Sequence, residues 1–327
     1  MPNVLIVGGA GLIGSHVCKA MYNAGFTPIV YDNLSTGHKD SVKWGPLEEA
    51  DIADIPSLVA VLRQYRPVAV VHLAAKAYVA ESSQKPAEYY TENVVKSLFL
   101  FNAMRMEGIR NLVFSSSCAI FGPSVEPITE SSPKNPISPY GRTKLMVEQI
   151  LADFDTAYGF PHVNLRYFNA AGADPDGEIG ELHIPETHLI PLAIQRAFDQ
   201  VNPLTINGTQ HPTPDGTCVR DFVHVTDLAH AHVLAVERLL DGLGSASYCL
   251  GTGAGSSILE VLEAVERQTG LPVPTVEGPA RPGDAPSLVA DPTLACLELG
   301  WKTLYDLSDM VETAVSWQKQ VMGMDEI

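Results

Sequence analysis

The chain has no stretch of about eighteen apolar residues, the length a helix needs to cross a bilayer, so no membrane span is expected. Met1-Pro2-Asn3 leads straight into a strand-type run without a basic leader, which speaks against a secretory signal. Cysteine is scarce. Cys18, Cys118, Cys218, Cys249 and Cys296 are scattered, odd in number and free of any Cys-x-x-Cys pair. Neither a zinc site nor a disulfide framework is predicted from them, and no metal is expected. They read as buried thiols in a reducing compartment, which points to the cytoplasm. Positive charge is also scarce: 21 Lys and Arg stand against 38 Asp and Glu, a formal net charge of −17. Such a balance argues against nucleic acid or an anionic membrane as partner. It leaves room for a small anionic substrate, which needs only local cations, and Arg220 and Arg281 are candidates. Internal repeats and low-complexity tracts are absent. What is present, 46% apolar residues and a mean hydropathy of +0.07 over 327 residues, suits an α/β enzyme with two lobes in one compact unit.

Glycine is placed with purpose at the start. Val4-Leu5-Ile6-Val7 is a strand-type run that leads into Gly8-Gly9-Ala10-Gly11-Leu12-Ile13-Gly14. Gly9-x-Gly11-x-x-Gly14 fits the dinucleotide fingerprint, and Gly8-x-x-Gly11-x-x-Gly14 its close variant. The turn needs backbone angles that a Cβ resists, and the backbone must approach a pyrophosphate closely. A helix over about 12–24 would offer its N-terminus to that anion, with Gly25 ending it. Pro28-Ile29-Val30-Tyr31 then reads as a second strand that stops at Asp32. An acid there can hold the adenosine ribose hydroxyls and repels a 2′-phosphate, so the cofactor is read as NAD rather than NADP. Two further apolar runs end on small or hydroxyl residues, 68–75 with Leu73-Ala74-Ala75, and 111–117 with Ser115-Ser116-Ser117. Strands alternating with helical segments predict a doubly wound parallel sheet of Rossmann type with a smaller α/β lobe. Ligands bind at the carboxyl ends of such strands, where Asp32, Ala74, Ala75, 115–117 and the glycine loop all fall.

Tyr140 and Lys144 are four residues apart, so on a helix they share one face. Ser138-Pro139 supplies an N-cap and a first-turn proline for that helix. A cation beside a phenol favours the phenolate, and a tyrosine so tuned can take a proton from a substrate hydroxyl. Ser117 is placed to bond the same hydroxyl. By spacing alone, an ordinary helix with an exposed lysine remains the alternative, as does a strand-end cap for Ser117.

Together the glycine fingerprint, Ser117 and Tyr140-x-x-x-Lys144 resemble the extended short-chain dehydrogenase/reductase superfamily. Longer strings resemble the UDP-glucose 4-epimerase family within it. They include Gly11-Leu12-Ile13-Gly14-Ser15-His16, Tyr31-Asp32-Asn33-Leu34-Ser35, Lys144-Leu145-Met146-Val147-Glu148-Gln149 and Leu165-Arg166-Tyr167-Phe168-Asn169. Asp215-Gly216-Thr217-Cys218-Val219-Arg220-Asp221-Phe222-Val223-His224 and Arg281-Pro282-Gly283-Asp284 follow. The resemblance implies reversible exchange of UDP-glucose and UDP-galactose through a 4-keto sugar, with tightly held NAD. It gives Tyr140 the role of base, Ser117 that of hydrogen-bond partner, and Lys144 that of tuning the phenol and holding ribose hydroxyls. It implies cofactor contacts at Gly8, Gly11, Leu12, Ile13, Asp32, Asn33, Asp51, Ile52, Leu73, Ala74, Ala75, Lys76, Asn93, Ser115, Tyr140, Lys144 and Phe168. On the UDP-sugar side it implies Ser117, Tyr140, Asn169, His188, Leu189, Arg220, Arg281, Asp284 and Leu288.

Several positions depart from the family pattern. Ala77 stands where the family often has lysine, so either Lys76 takes that cofactor contact or the contact is absent. His188 stands where some members have Asn, and Leu288 where several have Tyr against the sugar. Leucine is smaller and lacks the hydroxyl, so N-acetylated sugars are expected to fit. The alternatives are a UDP-uronate or UDP-N-acetylhexosamine 4-epimerase; a dehydratase would need an Asp-Glu pair where Cys118-Ala119 stand. A non-catalytic NAD-binding scaffold would be expected to have lost Tyr140 or Lys144. For Arg220 a salt bridge with Asp221 stays open, as does a capping role for Asn93. The apolar stripes at 98–106 and 146–154 could be core; the resemblance implies instead a homodimer through the helices that hold them. The expected division is 1–170 for NAD and 171–327 for the UDP-sugar, with parts of 206–234 returning to the main sheet.

Overall fold

The computed structural model describes residues 1–124, 126–281 and 285–324. Seven parallel strands form one sheet. In spatial order they are Ala246–Leu250, His162–Tyr167, Leu112–Ser115, Ala69–His72, Asn3–Val7, Thr27–Asp32 and Leu47–Glu49. The first strand of the chain sits between the second and the fourth, pairing Ile6 with Val30 on one side and with Val71 on the other. The chain therefore winds outward in one direction to Glu49, returns, and winds outward in the other. That reversal opens a crevice between the carboxyl ends of Asn3–Val7 and Ala69–His72.

The strand sequences are continuous apolar runs because helices cover both faces of the sheet. Side chains alternate between those faces. Val4, Ile6, Val30, Val71, Val113 and Val163 pack against Val17, Leu228, Ala231 and Ala235. Leu5, Val7, Ile29, Val70, Leu112 and Phe114 pack instead against Leu58, Leu62, Leu100, Phe101, Val147 and Leu151. The second lobe has its own core, where Ile190 and Ile194 meet Val261, Val265, Val311 and Val315.

Segment 206–234 does not return to the main sheet as a strand. Val219–Arg220 pairs with Ser256–Ser257 and Ser287–Leu288, and Phe222–His224 pairs with Asn169–Ala171. What returns is the helix Val225–Leu240, whose apolar stripe covers the Val4 and Ile6 face. The strand that rejoins the sheet lies just beyond it, at Ala246–Leu250. The stripe at Leu228, Ala231, Ala235 and Leu239 has helical spacing, which is why this segment cannot pair as a strand.

Candidate active site

The glycine loop closes on the neighbouring strand end. Gly8 has φ +87°, and a Cβ on it would lie 2.6 Å from the Ala74 nitrogen. Ala74 N and Leu73 N both donate to Val7 O, which seals this contact. A Cβ on Gly11 would meet only the Gly8 carbonyl, at an ordinary 3.7 Å. Protein packing therefore does not require glycine at 11; close approach by a ligand does. Gly11 also heads the helix Leu12–Asn23 without a side-chain cap and with no acid in the first turn. Its leading N–H groups suit a pyrophosphate.

Asp32 is buried at the end of the second strand. It accepts from Ala10 N at 2.9 Å and from Leu34 N at 2.8 Å, so it shapes the glycine loop and still keeps lone pairs for ribose hydroxyls. Beside it Asn33 donates to Asp51 at 2.7 Å, and Lys96 reaches the same Asp51 oxygen at 2.8 Å. Burial opposes charge on Asp51, but the bonds from Lys96, Ala53 N and Asn33 prevail and hold its carboxyl below the usual range. Ile52 is buried alongside. The set fits an adenosine: apolar at Ile52, acceptor at Asp32, and closed to a 2′-phosphate.

Asn93 is buried in a wide helical turn, Thr91–Val95. Its Oδ1 accepts from Lys76 N at 2.8 Å, and its Nδ2 donates to Lys76 O and Thr143 Oγ1, both at 3.0 Å. It clamps the strand end at 75–76 to the helix Pro139–Tyr158 rather than capping a turn. The Lys76 ammonium itself is turned to Glu88, 2.5 Å away at the surface.

Ser138 caps that helix by accepting from Gly141 N at 3.1 Å, with Pro139 in its first turn. Tyr140, half-buried, bonds to the Ser117 hydroxyl, and Ser117 Oγ also accepts from Ala119 N at 3.1 Å. Lys144 is 3% exposed, stands 5.8 Å from the Tyr140 ring centroid, and donates to the Ser115 carbonyl at 2.6 Å. The Ser115 hydroxyl bonds Tyr167. Burial pushes Tyr140 up to about 12, with Ser117 working the other way. Burial likewise pushes Lys144 down to about 7, against the pull of Glu148. Both groups are desolvated, and the lysine spends its bond on a backbone carbonyl, so each loses more hydration than it gains from the other.

On the sugar side Leu288 lies opposite Arg220 in register, and Asn169 lies opposite Phe222. Asn169 donates from its amide and its backbone to Asp221 O, both at 3.0 Å. Asp221 is fully buried, and its carboxylate is engaged by Thr252, Gly253 N and Ala290 N. Arg220 Nη1 donates to Val219 O and Ala285 O at 2.8 Å each. Leu288 packs beside Phe168, Cys118 and Ala290. Arg281 is exposed, and Asp284 lies outside the described residues. His188 precedes the helix Leu189–Asp199 and shares the Glu181 carboxylate with His183. Glu181 and Glu186 hold His183 up to about 9, burial opposing; burial opposes charge on His188 too, but Glu181 outweighs it and raises that imidazole. Three groups escaped the sequence reading: Glu148, Arg166 and Tyr167. Glu148 had a visible signal, since it is spaced from Lys144 as Lys144 is from Tyr140.

The chain matches the NAD dependent epimerase/dehydratase family over residues 4–251. It is 48% identical over 315 residues to the UDP-glucose 4-epimerase of Rhizobium leguminosarum bv. trifolii, covering 96% of each chain. It is similar to the UDP-glucose 4-epimerase of Brucella ovis, solved in complex with NAD. The TM-score is 0.94 and the identity 52%, covering 96% of this chain and 98% of that one. The UDP-glucose-4-epimerase of Stenotrophomonas maltophila, with bound NAD and formylated UDP-arabinopyranose, aligns at TM-score 0.95 and 39% identity over 99% of both chains.

Proposed function

The chain belongs to the NAD dependent epimerase/dehydratase family, and within it we propose that it interconverts UDP-glucose and UDP-galactose by reversing the configuration at C4 of the sugar. The observation that carries this is the Ser117–Tyr140 pair with buried Lys144, at the sheet end where the glycine loop meets Ala74. Bound NAD supplies the hydride acceptor and donor at C4, and with it a positive charge on the oxidised ring. Gly8, Gly11, Leu12 and Ile13 receive its pyrophosphate. Asp32, Asn33, Asp51 and Ile52 hold the adenosine, and Leu73, Ala74, Ala75, Ser115, Lys144 and Phe168 border the nicotinamide half. Lys76 contributes through its backbone, held by Asn93.

Tyr140 takes the proton of the sugar 4-hydroxyl as the hydride leaves C4, and returns it when the hydride comes back to the other face of the 4-keto sugar. Ser117 bonds the same oxygen and keeps it within reach of Tyr140. Lys144 places a charge beside the phenol and holds ribose hydroxyls. Arg220, Arg281, Asn169, His188, Leu189 and Asp284 hold UDP, while Leu288 meets the hexose loosely, which leaves the keto sugar free to turn. Residues 1–170 hold the cofactor in this reading and 171–327 the UDP-sugar. Purified, NAD-loaded protein given UDP-galactose without added NAD is expected to form UDP-glucose, read by a coupled assay; no conversion would sink the assignment.

A second substrate follows from Leu288, which is half-buried and carries no hydroxyl. UDP-N-acetylglucosamine is expected to turn over within about tenfold of UDP-galactose, since room for extra methyl-sized groups discriminates weakly. Turnover of UDP-galactose alone would refute it.

The helices Lys96–Met106 and Pro139–Tyr158 expose Phe99, Met106, Met146 and Tyr158, which supports a homodimer through that face. Light scattering is expected to give twice the chain mass, and Phe99→Glu with Met146→Glu to give a monomer; a monomeric wild type would remove the proposal. No helix among the described residues is long and apolar enough to cross a membrane. A cytoplasmic location is consistent with that and with five free cysteines.

A further inference from the structure

Beneath the Ser117–Tyr140–Lys144 group lies a buried ion pair that the proposed chemistry does not use. Glu148 stands one turn beyond Lys144 on the helix Pro139–Tyr158. Its Oε1 accepts from Arg166 Nε at 2.9 Å and its Oε2 from Arg166 Nη2 at 2.7 Å, a two-pronged contact in which both side chains are nearly inaccessible. Oε1 also accepts from the Ser116 hydroxyl at 2.6 Å. Arg166 is anchored further, by a 3.4 Å bond to Glu130 O and by the Phe121 ring 5.7 Å away. A buried pair of this kind adds little net stability, so its geometry calls for another account.

Ser116 supplies it. Its neighbour on one side is Ser115, whose carbonyl holds the Lys144 ammonium; its neighbour on the other is Ser117, which holds the Tyr140 phenol. Ser116 N is fixed to the strand Leu112–Ser115 and to Leu165 O. Glu148 thus grips the middle residue of a three-residue strand end whose two flanks carry the partners of both reacting groups. It also brings a negative charge to the environment of Lys144.

We infer that Glu148, braced by Arg166, is the positioning residue of the hydride-transfer site, setting the geometry of 115–117 and the charge on Lys144. This rests on the function proposed above. The groups facing Lys144 leave Glu148 in control of that charge. Tyr167 on the strand His162–Tyr167 is pushed up by burial and stays neutral; Tyr140 on the same helix is pushed up as well and gives up its proton only as the base of the NAD-loaded site, so Glu148 is the standing carboxylate near Lys144. His72 on the strand Ala69–His72 is pushed down to about 3 by burial, then by Lys144, and is neutral as well. Phe114 contributes a ring face 5.0 Å away and Ser115 a carbonyl. Arg166 is committed to Glu148.

Burial favours neutral Lys144, and the carboxylate opposes it. Removing the carboxylate therefore makes Lys144 lose its proton at lower pH. Glu148→Gln is expected to keep bound NAD and KM for UDP-galactose within about threefold, while kcat falls about tenfold and its alkaline limb moves down by about one pH unit. Ser116→Ala keeps the charge and cuts only the grip; it is expected to lower kcat about threefold, one neutral hydrogen bond's worth, without moving the limb. A purely structural pair would lower the melting temperature and leave the shape of the pH profile alone. Should Glu148→Gln not fold, Glu148→Gln with Arg166→Met removes both charges and carries the same expectation for the limb. A kcat–pH profile that superimposes on the wild type, or a loss confined to KM or NAD content, overturns the inference. The wild type is assayed alongside: if it fails to turn over UDP-galactose, the proposed function fails instead.

Discussion

Tyr140→Phe is expected to keep the fold and the bound NAD and to lose about three orders of magnitude in kcat, the middle of the range for a positioned acid–base group. The substitution removes one oxygen and leaves the ring in place at the head of the helix Pro139–Tyr158. Ser117 keeps its bond from Ala119 N, so no buried hydroxyl is left wholly unpaired. The loss should appear in kcat and kcat/KM alike, because the phenol acts on a proton that moves only in the transition state. Ser117→Ala, which removes a partner rather than the base, should cost less. The pH dependence has a definite sign. Tyr140 is pushed up to about 12 by burial, with Ser117 working against it, and it must lose a proton to act. Activity should therefore rise with pH along the acid limb. In the NAD-loaded enzyme that limb should lie well below 12, because the cofactor's positive ring adds to the charge that Lys144 places beside the phenol. A Tyr140→Phe enzyme of near-normal kcat would remove the residue as base.

The parts of this site that local backbone chemistry fixes were legible in the sequence. Glycines at fixed spacing after an apolar run, an acid at the end of the next run, and Ser-Pro before Tyr140 each encode a local demand: a turn, a strand end or a helix start. Pairings across the sheet were not legible. Nothing in the spacing links Arg166 to Glu148, or Tyr167 to Ser115, because those contacts depend on which strands become neighbours. Lys144 lies on the helix face expected of it, but its bond to a strand carbonyl could not be read from spacing. The backbone clamp of Lys76 by Asn93 likewise joins residues that spacing does not link. The return of Ala246–Leu250 to the sheet was missed because a five-residue strand after a long helix has no periodicity of its own to distinguish it from an edge strand of the smaller lobe.

Gly14→Ala and Gly11→Ala should separate the two reasons a fingerprint needs glycine. A Cβ on Gly14 would lie 2.1 Å from the Gly8 carbonyl and 2.7 Å from the Gly9 Cα. Both are backbone atoms in a loop already held by Asp32 and sealed against Ala74, so neither can swing aside as a side chain would. Gly14→Ala is expected to destabilise the protein by about 3 kcal/mol, the upper end of ordinary overpacking, and to release NAD because the loop itself is displaced. For a chain of this size that corresponds to roughly 4 °C in melting temperature. Gly11 differs: its backbone is extended at φ −81° and its Cβ direction is open. Alanine there should leave the melting temperature of the NAD-free protein within about a degree of wild type while NAD content falls steeply, since the methyl occupies the space a pyrophosphate must enter. Thermal melts before and after NAD removal, with NAD measured by extraction and absorbance, read both effects. Full NAD content in Gly11→Ala would mean the dinucleotide does not cross the helix N-terminus. An unchanged melting temperature in Gly14→Ala would mean the loop has slack that its contacts deny.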